Sequence, residues 1–112
     1  MKLTTPYPVT AEISLPEVAE DIRLDEDVGQ DDLWKIIAHD DPITTMEFVV
    51  RIMVQIFKKP LIFAEAIMWQ VHTEGQSVVD VLPRAEAEFR VRKAVAAARL
   101  EGFPFQFTLE PA

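Results

Sequence analysis

Residues 33–58, LWKIIAHDDPITTMEFVVRIMVQIFK, hold the transition that decides the fold. Leu33-Trp34-Lys35-Ile36-Ile37-Ala38 is an apolar run of strand length, bounded by Asp31-Asp32 before it and Asp40-Asp41-Pro42 after it. Proline disfavours the helical region for the residue before it, so Asp41-Pro42 turns the chain. A helical period then takes over. Met46, Val49, Val50, Met53, Ile56 and Phe57 recur at helical spacing. Thr44 and Glu47 form a capping box, in which each side chain satisfies a backbone N–H of the other's end, and this predicts a helix from Thr44 to about Lys58. Phe48, Ile52 and Val54 make it apolar over most of its circumference, as suits a helix sandwiched between other layers. Lys58 and Lys59 complement the negative end of its dipole.

Downstream the pattern repeats with different punctuation. Pro60 fits the first turn of a second helix, where a missing N–H costs little. Ala64, Ile67, Met68 and Val71 form its apolar stripe, and Gly75 is suited to a left-handed cap. Gln76–Leu82 is a valine-rich strand. Pro83 opens a third helix with Ala87, Val91, Ala94, Val95 and Ala98 on one face, and Gly102 closes it. Phe105-Gln106-Phe107-Thr108-Leu109 alternates apolar and polar residues, as a strand with one wet face does. The order strand–helix–helix–strand–helix–strand predicts an α+β domain: a small three-stranded antiparallel sheet packed against three helices.

Upstream the texture is unlike this. Residues 1–32 carry Pro6, Pro8, Pro16 and Gly29, with nine acidic side chains against two basic, a balance of −7. Residues 33–112 carry ten acidic and nine basic side chains, a balance of −1. Such an acidic, proline-punctuated stretch cannot bury enough apolar surface to offset its ordering entropy. The expectation is a flexible acidic arm over 1–32 and one core domain over 33–112. The arm is either a solvated tail or a segment that engages a partner.

Composition excludes several classes. The chain has 112 residues, enough for one domain. It has no cysteine, hence no disulfide, thiolate metal site or cysteine nucleophile. No stretch approaches the roughly 18 apolar residues that span a membrane. Met1 to Pro6 lacks the apolar centre of a signal peptide, so the expected location is the cytoplasm. Arg90, Arg92 and Lys93 are balanced by Glu86 and Glu88, which argues against nucleic-acid binding. There is no glycine-rich phosphate loop, no nucleophile elbow and no zinc-binding helix motif. No enzymatic activity, metal or cofactor is expected.

One group of polar residues falls at element ends. Asp40 and Asp41 follow the first strand, Thr44 opens the first helix and His72 ends the second. Carboxylates, a neutral imidazole nitrogen and helix-end carbonyls together suit an ammonium group. Met46, Val49, Met68 and Val71 are soft apolar neighbours able to line a pocket for one bulky side chain. The same residues are also consistent with a turn cap, a surface histidine and ordinary core. A metal or small-molecule enzyme built on Asp40, Asp41 and His72 would have an incomplete ligand set.

Three blocks then carry a resemblance. Trp34 to Val50, WKIIAHDDPITTMEFVV, resembles the signature of the ClpS family of adaptor proteins: a strand, an Asn-Asp pair, a turn, Thr-Pro-Met-Glu-Phe-Val and a helix. Ala66 to Gly75, AIMWQVHTEG, is similar to its second block, and Phe103 to Pro111, FPFQFTLEP, to its terminal strand. The resemblance covers residues 33–112. It implies a non-enzymatic adaptor that binds N-degrons beginning with Leu, Phe, Tyr or Trp and hands them to a ClpA- or ClpC-type AAA+ ATPase–protease. It implies that Asp40, Asp41 and His72 take the α-amino group, and that Thr44, Met46, Val49, Met68, Val71 and Phe105 wall the hydrophobic pocket, with Met46 gating side-chain size. It places ATPase docking at Glu88 and Arg90. The alternative is a structural interaction domain of the same fold, similar to the C-terminal domain of the ribosomal stalk protein, without a degron pocket. Four positions depart from the family. Asp40 stands for the Asn, Pro42 for a second carboxylate and Thr45 for the proline before the methionine. On the docking face Ala85 stands for a Glu, with Arg90 for its Lys partner.

Overall fold

The structure is a computed structural model and describes residues 32–112. Its elements are β1 (Leu33–His39), α1 (Met46–Gln55), α2 (Leu61–Glu74), β2 (Gln76–Pro83), α3 (Arg84–Leu100) and β3 (Gln106–Pro111). The acidic arm expected over 1–32 lies, apart from Asp32, outside the described residues.

The most apolar strand takes the centre. The sheet order is β2-β1-β3, with both pairings antiparallel. Ile36, Ile37 and Ala38 of β1 are all buried, although successive side chains point to opposite faces. The β1–β2 register passes from Ile36↔Asp80 to Ile37↔Val78, so Val79 is the extra residue of a β-bulge. The bulge puts Val79 in the core and leaves Asp80 paired with Lys59 at 3.1 Å.

The helices pack on the sheet and on each other. Met46, Phe48, Val49, Val50, Ile52 and Met53 of α1 are buried, which is the sandwiched helix that its all-round apolarity requires. Phe48 is fully buried and meets Phe103 and Phe105 edge-on, with centroids 5.1 Å and 6.3 Å away. α3 lies across all three strands and buries only Ala87, Ala94 and Ala98. These small side chains let its backbone approach the sheet closely.

Both ends of α1 differ from the expected ones. The N-cap is Thr45, whose hydroxyl accepts from the Phe48 N–H at 3.2 Å. Thr44 lies one residue too early, and its hydroxyl donates to Asp41 Oδ2 at 2.7 Å. The helix ends at Gln55, short of Lys58, which adopts a left-handed φ of 59°. That turn lets the Lys59 N–H reach the Met53 carbonyl at 2.9 Å, closing the helix with a bond from six residues back.

Candidate functional site

Three element ends meet at one corner. His39, the last residue of β1, pairs with Gln76 on one side and Gln106 on the other, and its Nε2 lies 2.8 Å from the Thr108 hydroxyl. The next residue, Asp40, donates its N–H to the Gly75 carbonyl at 2.9 Å. Gly75 caps α2 with a φ of 91°, and its own N–H bonds the Val71 carbonyl at 2.9 Å. The backbone of Asp40 is thereby bolted to the C-terminal end of α2, whose last turn carries His72. A helix C-terminus holds partial negative charge, so the corner favours a cation before any side chain is considered.

Asp41 builds the loop. Its Oδ1 accepts from the Ile43 N–H at 2.8 Å and the Thr44 N–H at 2.7 Å, and its Oδ2 accepts from the Thr44 hydroxyl. A carboxylate has about four acceptor positions, so roughly one remains for anything else. Asp41 thus fixes the path from β1 to α1, and Asp40 lies beside the end of α2.

His72 is partly exposed, yet its Nδ1 is buried and without a hydrogen-bond partner among the described residues. Folded proteins satisfy nearly all buried polar atoms, and an orphan costs about 1–3 kcal/mol. Its neighbour is Trp69, whose ring meets the imidazole edge-on with centroids 5.9 Å apart.

The expected pocket walls are core residues. Met46, Val49, Met68, Val71 and Phe105 belong to one core cluster, and Thr44 is fully buried. Val49, Met68 and Val71 have no exposure, while Met46 keeps 5% and Phe105 2%, so Met46 stands nearest the surface. A groove of about 520 Å³ between the α1–α2 turn, α2 and β2 contains none of the expected site residues.

The expected docking pair lies elsewhere. α3 starts after Pro83, which pairs with Leu33 at the end of the sheet opposite His39. Glu88 pairs with Arg84 at 3.2 Å on the surface. Arg90 is largely covered: it donates to Glu86 at 2.8 Å and, through Nη1, to the Ile56 carbonyl at 2.6 Å. It ties α3 to the end of α1. Sequence reasoning passed over Trp69. The available signal was a tryptophan three residues before His72, outside the stripe Ala64, Met68, Val71.

Residues 29–108 match the family described as ATP-dependent Clp protease adaptor protein ClpS. The chain belongs to the ClpS family. It is 37% identical over 94 residues to the Clp protease adapter ClpS of Lawsonia intracellularis, covering 84% of this chain and 86% of that one. It is 39% identical over 79 residues to that of Deinococcus radiodurans, covering 70% of each. Among solved structures, Agrobacterium tumefaciens ClpS2 bound to L-phenylalaninamide superposes with a TM-score of 0.71 at 30% identity, over 74% of this chain and all of the other. The Lawsonia and Deinococcus relatives are adapter proteins by name. Among the described residues, no helix is long and apolar enough to cross a membrane, and no three His, Cys, Asp or Glu residues come together to hold a metal ion.

Proposed function

We propose that this ClpS-family chain is a cytoplasmic adaptor that binds the free N-terminus of polypeptides beginning with Leu, Phe, Tyr or Trp and delivers them to a ClpA- or ClpC-type ATPase–protease. The observation that carries the reading is the orphaned, buried Nδ1 of His72 at the end of α2, beside the anchored backbone of Asp40. An α-ammonium supplies three donors. One goes to Nδ1 of His72 and another to the Asp40 carboxylate, while the α2 terminus favours the charge. Charge-assisted bonds of this kind contribute about 1.5–3 kcal/mol each. The first side chain enters among Met46, Val49, Met68, Val71 and Phe105. These walls are closely packed, so entry requires the flexible Met46 and Met68 side chains to re-pack. L-phenylalaninamide, bound by the Agrobacterium relative, carries the same two features, a free α-amino group and one aromatic side chain.

The test is a titration with Phe- and Leu-initiated peptides against N-acetylated copies, on the wild type and His72→Ala. Acetylation removes the charge and two donors, and the expected loss of about 3 kcal/mol is roughly 100-fold in Kd. Equal binding of free and acetylated peptides would end the proposal. Delivery is read separately, as acceleration of Phe-initiated substrate degradation by a reconstituted ATPase–protease.

A further inference from the structure

We propose that Trp69 reads the second residue of a bound N-terminal peptide and selects an aromatic or large aliphatic side chain there. The inference rests on His72 being the acceptor for the α-amino group. Trp69 and His72 are three residues apart on α2 and therefore share one face of it. Their rings meet edge-on at 5.9 Å with an interplanar angle of 71°. Trp69 is 50% exposed, while its neighbour Met68 has no exposure. The indole therefore leaves half its surface to solvent while it packs against a ring whose Nδ1 has no partner among the described residues.

Reach follows from chain geometry. An ammonium bonded to Nδ1 sits about 2.9 Å from it, and the second Cα is about 3.8 Å beyond the first. The second residue thus leaves the site within a side chain's length of Trp69. The first side chain is committed to the interior, so the second passes over the rim. Trp69 is the large exposed apolar residue that α2 offers there, and Ile43 on the Asp41 loop is equally exposed. Of the other exposed large apolar residues of α2, Ile62 and Phe63 lie two turns away at its start. Ring on ring or ring on aliphatic contact at a half-exposed site is worth about a fivefold gain in affinity.

The experiment compares peptides that differ only at position two, Phe-Gly, Phe-Leu and Phe-Tyr, on the wild type, Trp69→Ala and Trp69→Phe, with circular dichroism as the check on folding. The wild type should favour Phe-Tyr and Phe-Leu over Phe-Gly by about fivefold. Trp69→Ala should bind Phe-Gly as the wild type does and lose the preference, while Trp69→Phe keeps it. The absence of a second-residue preference in the wild type overturns the assignment. So does a preference that survives in Trp69→Ala, or an equal loss for every peptide, which would make Trp69 a support for His72 alone. If Trp69→Ala does not fold, Trp69→Gln takes its place and should lose the preference in the same way. N-acetylated Phe-Tyr separates the two failures. Acetylated binding equal to free binding removes the α-amino reading itself, whereas free-only binding without a preference removes only the role of Trp69.

Discussion

Thr44 gives both of its donors to one carboxylate: its N–H reaches Asp41 Oδ1 and its hydroxyl reaches Asp41 Oδ2, each at 2.7 Å. Thr44 is fully buried, so neither donor has water as an alternative. The pair sets the geometry of the loop that carries Asp40 out of β1 and leaves Thr45 to cap α1. Thr44→Val keeps the shape and removes the hydroxyl. It should lower stability by about 1–2 kcal/mol, measured as a drop in urea midpoint with unchanged slope. A neutral result would mean that the two backbone bonds to Oδ1 suffice.

Met46 combines core packing with proximity to the surface. Truncation to Ala removes a side chain that is 95% covered and should cost about 2–4 kcal/mol of stability. It should also widen the entrance. Peptides beginning with Ile or Val are branched next to the backbone and stand to gain most from the lost bulk. The readout is the ratio of Kd for Ile- and Leu-initiated peptides. An unchanged ratio alongside the stability loss would make Met46 a core residue only.

Lys58 occupies a position suited to glycine. Its φ of 59° carries a steric penalty for any residue with a Cβ, about 1–2 kcal/mol. The Lys59 N–H depends on that turn to close α1. Lys58→Gly should therefore stabilise the domain by about 0.5–1 kcal/mol, less than the full penalty because glycine also gains freedom in the unfolded chain. Calorimetry would show it as a rise in Tm, and a fall in Tm would contradict it.

Arg51 and Glu101 link α1 to the end of α3 through two hydrogen bonds, at 2.7 Å and 3.1 Å. The hydrogen bond from Arg51 holds the Glu101 carboxyl below its usual value of 4.5, and the same bond raises Arg51. A depressed carboxyl stabilises the fold at pH values above its unfolded range, and that contribution is lost as pH falls through the folded value. Both side chains are more than a third exposed, so screening reduces the gain to a few tenths of a kcal/mol. Glu101→Gln should lower stability by about that much at pH 7 in dilute buffer, and by progressively less as pH falls through the folded carboxyl's titration or as salt rises to about 1 M. A difference that persists in 1 M salt would point to packing instead of charge.

Much of the fold was legible in the sequence because its signals are local. The strand run at Leu33–Ala38, the helical recurrence from Met46 to Phe57 and the left-handed cap at Gly75 each depend on neighbours a few residues apart. The residues that converge at the corner were legible in kind, as polar groups at element ends.

What the sequence by itself determined is the order of elements, the face each one buries and the chemical types available where β1, α1 and α2 meet. Hydrophobic period and the stereochemistry of Gly and Pro suffice for that, because both act along the chain. The tertiary structure alone decided which threonine caps α1, that Asp41 serves the loop while Asp40 is tied to Gly75, that Arg90 reaches the Ile56 carbonyl, and that Trp69 borders an unpaired His72 nitrogen. Each rests on distances of a few ångströms between groups that the fold brings together. Those distances depend on where packed backbones place the groups, and the spacing of letters carries no record of them.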